Sequence, residues 1–234
     1  MKISTVIFSA LTAGILVMSS AHAEELIWGV KIEQMEVRVG DNGTDVVAWD
    51  GDAVIGTDEL KFVLRNEGEF ETDGDVLETM ETQVRIQVPV SDFFDVAAGI
   101  RFDTPEGPDR THAVVGLKGL APQWFEIDAD LYLSRHPSFR FEAEYEALIT
   151  NHLILTPSVE IDLPFNDDRE IDIGAWGPKT EIGARLSYDL FDRAVAPYVG
   201  VHYERYFGET KDIKVAEGKE GDALWFVTGL KLQF

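Results

Sequence analysis

Gln123-Trp124-Phe125-Glu126-Ile127-Asp128-Ala129-Asp130-Leu131-Tyr132-Leu133-Ser134 decides the fold class. Phe125, Ile127, Ala129, Leu131 and Leu133 fall on one face of an extended chain, and Glu126, Asp128, Asp130 and Tyr132 fall on the other. A helix would mix the two sets; only a strand with a two-residue period separates them. The next stretch repeats the pattern, with Phe139, Phe141, Ala143, Tyr145 and Ala147 set against Arg140, Glu142, Glu144 and Glu146. A water-soluble sandwich would alternate in the same way, so the choice between sandwich and membrane barrel rests on what lies between the strands.

Outward from this pair, short turn signals at Gly56–Glu59, Pro89–Asp92, Leu120–Gln123, Ile149–His152 and Phe191–Ala194 alternate with a second set at Gly40–Asp45, Glu71–Asp75, Thr104–Asp109, Ser134–Ser138, Pro164–Pro178 and Tyr206–Gly221. Outer-membrane barrels alternate short periplasmic turns with longer external loops in this manner. Aromatic residues flank both sets: Phe93, Phe94, Trp124 and Phe191 at one end, and Phe70, Phe165, Trp176, Tyr206 and Phe207 at the other. Two girdles suit two membrane interfaces. The expected fold is therefore all-β: an antiparallel transmembrane barrel of about twelve strands, with ten as the alternative. In the first strand the apolar parity of Trp28, Val30 and Ile32 reverses at Met35, as a bulge would produce. The last apolar series, Phe226, Leu230 and Leu232, ends on Phe234, read as the membrane-assembly signal of a closing strand.

The N-terminus reads as an export signal: Lys2, an apolar stretch from Val6 to Val17, and Ala21-His22-Ala23 as a small-x-small cleavage site. Residues 1–23 are the expected signal peptide, and 24–234 one barrel domain, in the outer membrane of a Gram-negative-type bacterium. No later apolar run reaches the roughly 20 residues of a spanning helix. The absence of cysteine excludes disulfides and thiolate chemistry. A formal net charge of −23 argues against nucleic acid as a partner. The expected partners are outer-membrane lipid and the barrel-assembly machinery.

If the apolar faces meet lipid, the others line a lumen rich in carboxylates. Glu126, Asp128, Asp130, Glu142, Glu144 and Glu146 are expected to attract cations there, although strand carboxylates often serve only as rungs of ion-pair ladders. His112 and His202 share the inward parity, with Glu204 two residues beyond His202. These three form the candidate metal set, in which imidazole and carboxylate suit Cu(II) better than Cu(I), since Met35 and Met80 are the only methionines after Met18. Lone inward histidines are more often ordinary pore-lining groups. Ser158 and Ser187 also face inward, but no Gly-x-Ser-x-Gly elbow is present, and no enzymatic activity is expected.

Several ordered segments resemble the copper resistance protein B family of outer-membrane proteins. They include Gly107-Pro108-Asp109-Arg110-Thr111, Gly119-Leu120-Ala121-Pro122-Gln123-Trp124-Phe125-Glu126, Glu142-Ala143-Glu144-Tyr145-Glu146, Leu153-Ile154-Leu155-Thr156-Pro157, Ala196-Pro197-Tyr198-Val199-Gly200-Val201-His202-Tyr203-Glu204-Arg205 and Phe207-Gly208-Glu209-Thr210. The resemblance implies a barrel engaged in copper homeostasis or resistance, by sequestering copper or controlling its passage, with periplasmic copper proteins as further partners. Many members carry a Met- and His-rich segment before the barrel. Here Glu24 is followed almost at once by Leu26-Ile27-Trp28-Gly29, which argues against high-capacity copper binding. The alternative function is a general cation-selective or small-solute pore.

Overall fold

The computed structural model describes residues 26–234 except 41, 42, 44, 73, 106 and 192; the expected signal peptide and its cleavage point lie outside the described residues. The strands are β1 (Ile27–Gly40), β2 (Asp45–Gly56), β3 (Lys61–Glu71), β4 (Val76–Pro89), β5 (Phe94–Thr104), β6 (Arg110–Ala121), β7 (Phe125–Leu133), β8 (Ser138–Tyr145), β9 (Ala147–Leu148), β10 (Leu153–Pro164), β11 (Lys179–Tyr188), β12 (Val195–Tyr206) and β13 (Asp222–Gln233). Every neighbouring pair is antiparallel, and β8 and β9 are one stave interrupted at Glu146. With β1 paired to β13 and β10 paired to β11, the sheet closes into a barrel of twelve staves. Closure leaves no strand edge, which hydrocarbon would penalise because it offers no water to unpaired backbone groups.

The alternation seen in the sequence is realised as an apolar exterior and a polar interior. Leu64, Ile86, Ile100, Leu117, Ile182 and Val199 project from the outer wall, while Arg65, Arg85, Arg140 and Arg185 are buried inside. The parity reversal in β1 is a bulge at Glu33: the partner of Ile32 is Gly51, and Gln34 pairs with Asp50. One extra residue keeps both halves of β1 apolar-outward, with Val30 and Val37 exposed and Glu36 and Arg38 buried. The aromatic belts hold at most positions, with Phe93, Trp124 and Phe191 exposed at the end bearing the short turns and Trp176 and Phe207 at the other. Tyr206 departs from the expected girdle. It has the parity of Glu204, lines the interior cavity, and carries the Lys214 ammonium 4.5 Å from its ring centre.

Phe234 is exposed outward, and its backbone exchanges two hydrogen bonds with Val30, at 3.0 and 2.9 Å, across the seam between the first and last staves. Deleting it removes both bonds and a lipid-facing ring, so slower outer-membrane assembly is expected. Undiminished recovery of heat-modifiable barrel would count against that role.

Candidate functional site

The interior holds a cavity of about 1500 Å³, lined by residues from Asp92 and Leu120 at the short-turn end to Ile173, Thr210 and Glu220 in the long loops. Carboxylates clearly outnumber lysines and arginines among its lining residues. The walls are fully paired strands with apolar outer faces, so the surplus charge is poorly screened and focuses a negative potential along the lumen.

Ion pairs cross this lumen. Arg65 on β3 reaches Asp128 on β7 at 3.2 Å and Glu142 on β8 at 3.0 Å. Arg140 on β8 returns to Glu67 on β3 at 2.5 Å and also holds Glu81 at 3.2 Å and Asp162 at 2.9 Å. Lys31 on β1 lies 3.8 Å from Glu126 on β7, on the opposite side of the ring, and Lys118 on β6 lies 3.4 Å from Asp52 on β2. Contacts between staves this far apart mean that the β1–β3 wall approaches the β6–β8 wall. A separate buried group joins Arg38 and Arg185 through Glu36, which also accepts a 2.8 Å hydrogen bond from the Tyr198 hydroxyl.

The expected cation-attracting set divides on this frame. Glu126 and Glu144 line the cavity toward the short-turn end, and Glu142 lines it facing Arg65. Asp128 is buried against Arg65, and Asp130 is sealed against Arg85. Glu146 departs from the expectation: the stave breaks there, parity is lost, and its carboxylate pairs with Arg193 at 3.2 Å on the short-turn rim.

The candidate metal residues do not form one ligand set. His112 Nε2 lies 3.1 Å from Asp103 Oδ2 near the long-loop end of β5 and β6. His202 Nε2 lies 3.1 Å from Glu181 Oε2 on the far side, and Glu204 is held by Lys179 at 2.9 Å. The nearly opposed positions of β6 and β12 keep the two imidazoles apart. Among the described residues no three His, Asp or Glu side chains stand as a ready metal cage. Of the serines considered as nucleophiles, Ser187 Oγ lies 3.4 Å from the Ile154 carbonyl oxygen it donates to, and Ser158 stands opposite Glu144 and Gly183. Sequence reading passed over Glu36, Arg38 and Asp103 as members of buried or half-buried pairs. Their signal was available: carrying parity through the β1 bulge turns Glu36 and Arg38 inward, and parity from the exposed Ile100 does the same for Asp103.

The two longest loops pack on each other above the long-loop mouth. The loop after β10 presents Gly174 and Gly177 to Thr210 of helix α1 (Gly208–Ala216), whose hydroxyl hydrogen-bonds both segments. Lys219 pairs with Asp172 at 2.5 Å, Arg169 pairs with Glu209, and Arg110 holds Asp168 at 2.7 Å. The Lys219 ammonium holds the Asp172 carboxyl below the usual aspartate range, and the Ala175 N–H and Arg169 do the same for Asp167. Both contributions are therefore complete above the ordinary aspartate value and fade as pH falls through the lowered one. A Cβ at Gly177 would stand 2.4 Å from Thr210 Oγ1 and 2.8 Å from the Phe207 carbonyl oxygen. Gly177→Val should lift α1 and speed trypsin cleavage at Lys211, Lys214 and Lys219 in liposome-embedded barrel. Cleavage at the parent rate would show that the glycine contact does not hold the roof.

Comparison with known proteins follows the same outline. A family model described as Copper resistance protein B precursor (CopB) matches residues 26–234. Copper resistance protein B of Escherichia coli is 33% identical over 215 residues, which cover 91% of this chain and 71% of that protein. The Copper resistance protein B homolog of Pseudomonas syringae pv. tomato is 34% identical over 195 residues, covering 82% of this chain and 65% of that protein. Among solved structures the NanC porin superposes with a TM-score of 0.52 at 13% identity, covering 88% of this chain and 99% of that one, a likeness of fold alone. The architecture is thus that of an outer-membrane-porin-like barrel. The length of the family match and the identity to both relatives place the chain in the copper resistance protein B family.

Proposed function

We propose that the barrel serves copper homeostasis at the outer membrane by drawing copper ions into its acidic lumen, for binding or controlled passage. The observation that carries this reading is the carboxylate-rich cavity running between the two ends of the barrel, in a chain of the copper resistance protein B family. Cu(II) suits the lining better than Cu(I): oxygen donors are abundant, His202 adds an imidazole, Met35 faces outward, and among the described residues Met80 alone brings a thioether to the cavity. Export with cleavage near Ala23, insertion by the barrel-assembly machinery, and exchange with periplasmic copper proteins complete the proposal.

A general cation-selective pore is the second reading, favoured by the lack of a ready three-ligand cage among the described residues. Titrating the refolded barrel with Cu(II), Cu(I), Zn(II) and Ca(II) separates the two. Preferential Cu(II) binding supports the copper reading; equal, weak binding of Cu(II) and Ca(II) would leave the general pore.

A further inference from the structure

The strand register aligns carboxylates that are far apart in sequence. Asp128 on β7 stands opposite Glu142 on β8, Glu142 opposite Glu160 on β10, Glu160 opposite Glu181 on β11, and Glu181 opposite Glu204 on β12. All five line the cavity. They form one continuous rung over five adjacent staves, slanted to the barrel axis because the strands themselves are tilted. Like charges placed directly across a strand pair are destabilising, so this rung has a folding cost at each step. Among the described residues, its lysine and arginine counter-charges within 3.5 Å are Arg65 on Asp128 and Glu142, Arg140 on Glu160, and Lys179 on Glu181 and Glu204. Two of these are shared further: Arg140 serves Glu67, Glu81 and Asp162 as well, and Arg65 lies 3.6 Å from Asp50.

A second observation lies beside the rung. His202 is 4% exposed, lines the same cavity, and has neither ring nitrogen in an aligned hydrogen bond, although Nε2 is 3.1 Å from Glu181 Oε2. Asp128 Oδ1, at the other end, is likewise buried without a partner. Burying such groups unsatisfied costs free energy unless something occupies them part of the time.

We propose that the Asp128–Glu142–Glu160–Glu181–Glu204 rung is a track for divalent cations, with the His202 imidazole as its tightest step. Neighbouring staves are about 4.8 Å apart, so one hydrated ion can engage two successive carboxylates and move on without crossing open lumen. Shared, incomplete coordination is what transit requires: favourable enough to admit an ion and weak enough to release it. This agrees with the lack of a closed cage among the described residues. The imidazole favours Cu(II) and Zn(II), which accept nitrogen, over Ca(II), which prefers oxygen alone. The inference rests on the reading that cations occupy the lumen, and adds the residues that select them.

The test is single-channel recording of the intact refolded barrel in planar bilayers under a KCl gradient, with CuCl2, ZnCl2 or CaCl2 added. The parent should be cation-selective, and Cu(II) and Zn(II) should block its K+ current at lower concentration than Ca(II). Glu160→Gln with Glu181→Gln should lower the local cation concentration, and so raise the blocking concentration, roughly tenfold. His202→Ala should abolish the difference between Cu(II) and Ca(II). Glu204→Gln serves as an independent rung variant should the double variant fail the heat-modifiability check for folding, and Glu59→Gln, in the exposed β2–β3 turn and outside the cavity, should behave as the parent. A folded rung variant with the parent's reversal potential and block overturns the track, as does a parent barrel that carries no cation-selective current. Failure of the copper reading is distinct: rung-dependent block by all divalent ions alike, persisting without His202, keeps the track and removes its copper preference.

Discussion

Asp130→Asn is expected to lower the unfolding free energy of the refolded barrel sharply, by about 3 to 5 kcal/mol, the usual cost of breaking a buried ion pair from one side, with a matching fall in its urea midpoint. Asp130 is 1% exposed and Arg85 2%, so neither reaches water when its partner is altered. The Asp130 carboxylate bonds Arg85 Nη2 and takes a 3.3 Å hydrogen bond from Nη1, while the Tyr132 hydroxyl lies 3.3 Å away. An amide in its place keeps the volume but removes the charge and offers a second set of donors to a guanidinium that only donates. Gln83, whose Oε1 accepts from Arg85 Nε at 2.6 Å, cannot supply the missing acceptors. The companion double variant, Asp130→Leu with Arg85→Met, should recover most of the loss, because an apolar pair of similar size carries no stranded charge. Urea titration followed by heat-modifiability measures both. A single variant with the parent's midpoint would mean that Asp128, 3.8 Å from Arg85 Nη1, takes over the pairing.

That result would also settle what the acidic face of β7 contributes. Alternation alone treats Glu126, Asp128 and Asp130 as equivalent lumen carboxylates, and the strand does place all three on one face. Depth and partners separate them: Glu126 keeps a half-exposed carboxylate near one mouth, whereas Asp130 is a structural anchor.

The limit is general for this fold. Period two, turn lengths and the reversal at Met35 are local, so the stave count, the two ends and the β1 bulge were all readable along the chain. Register is not local. Glu160, Glu181 and Glu204 lie on three strands whose offsets are set by pairing of whole strands, and a slip of one residue would send an entire face to lipid. No property of the separate segments says that these three meet in a row. The same holds for the cross-lumen pairs: Lys31 with Glu126, or Arg65 with Glu142, depends on how closely opposite walls approach. The candidate metal set meets the same limit, since parity put His112 and His202 inside without fixing their place around the ring.

Arg140→Ala should have the largest effect on the lumen itself. The side chain runs from β8 toward β3 and β4, touching Glu67 at 2.5 Å, Glu81 at 3.2 Å, Asp162 at 2.9 Å and Glu160 at 3.2 Å, with its guanidinium 5.7 Å from the Tyr132 ring centre. β3 and β8 are not neighbours, so this residue is a strut across open space as well as a counter-charge. Truncation to alanine removes both functions. Four carboxylates lose a shared cation, and stability should fall by about 3 kcal/mol or more, as for other one-sided losses of buried pairs. The vacated volume joins the cavity while its surplus negative charge grows, so unitary K+ conductance and cation preference should both rise. Arg140→Met distinguishes the strut from the charge, because the methionine keeps much of the bulk and none of the charge. Cation preference should rise in both variants, and conductance should rise clearly only in the alanine variant. If folded Arg140→Ala barrels conduct and select as the parent does, Arg140 neither narrows the ion path nor offsets its charge.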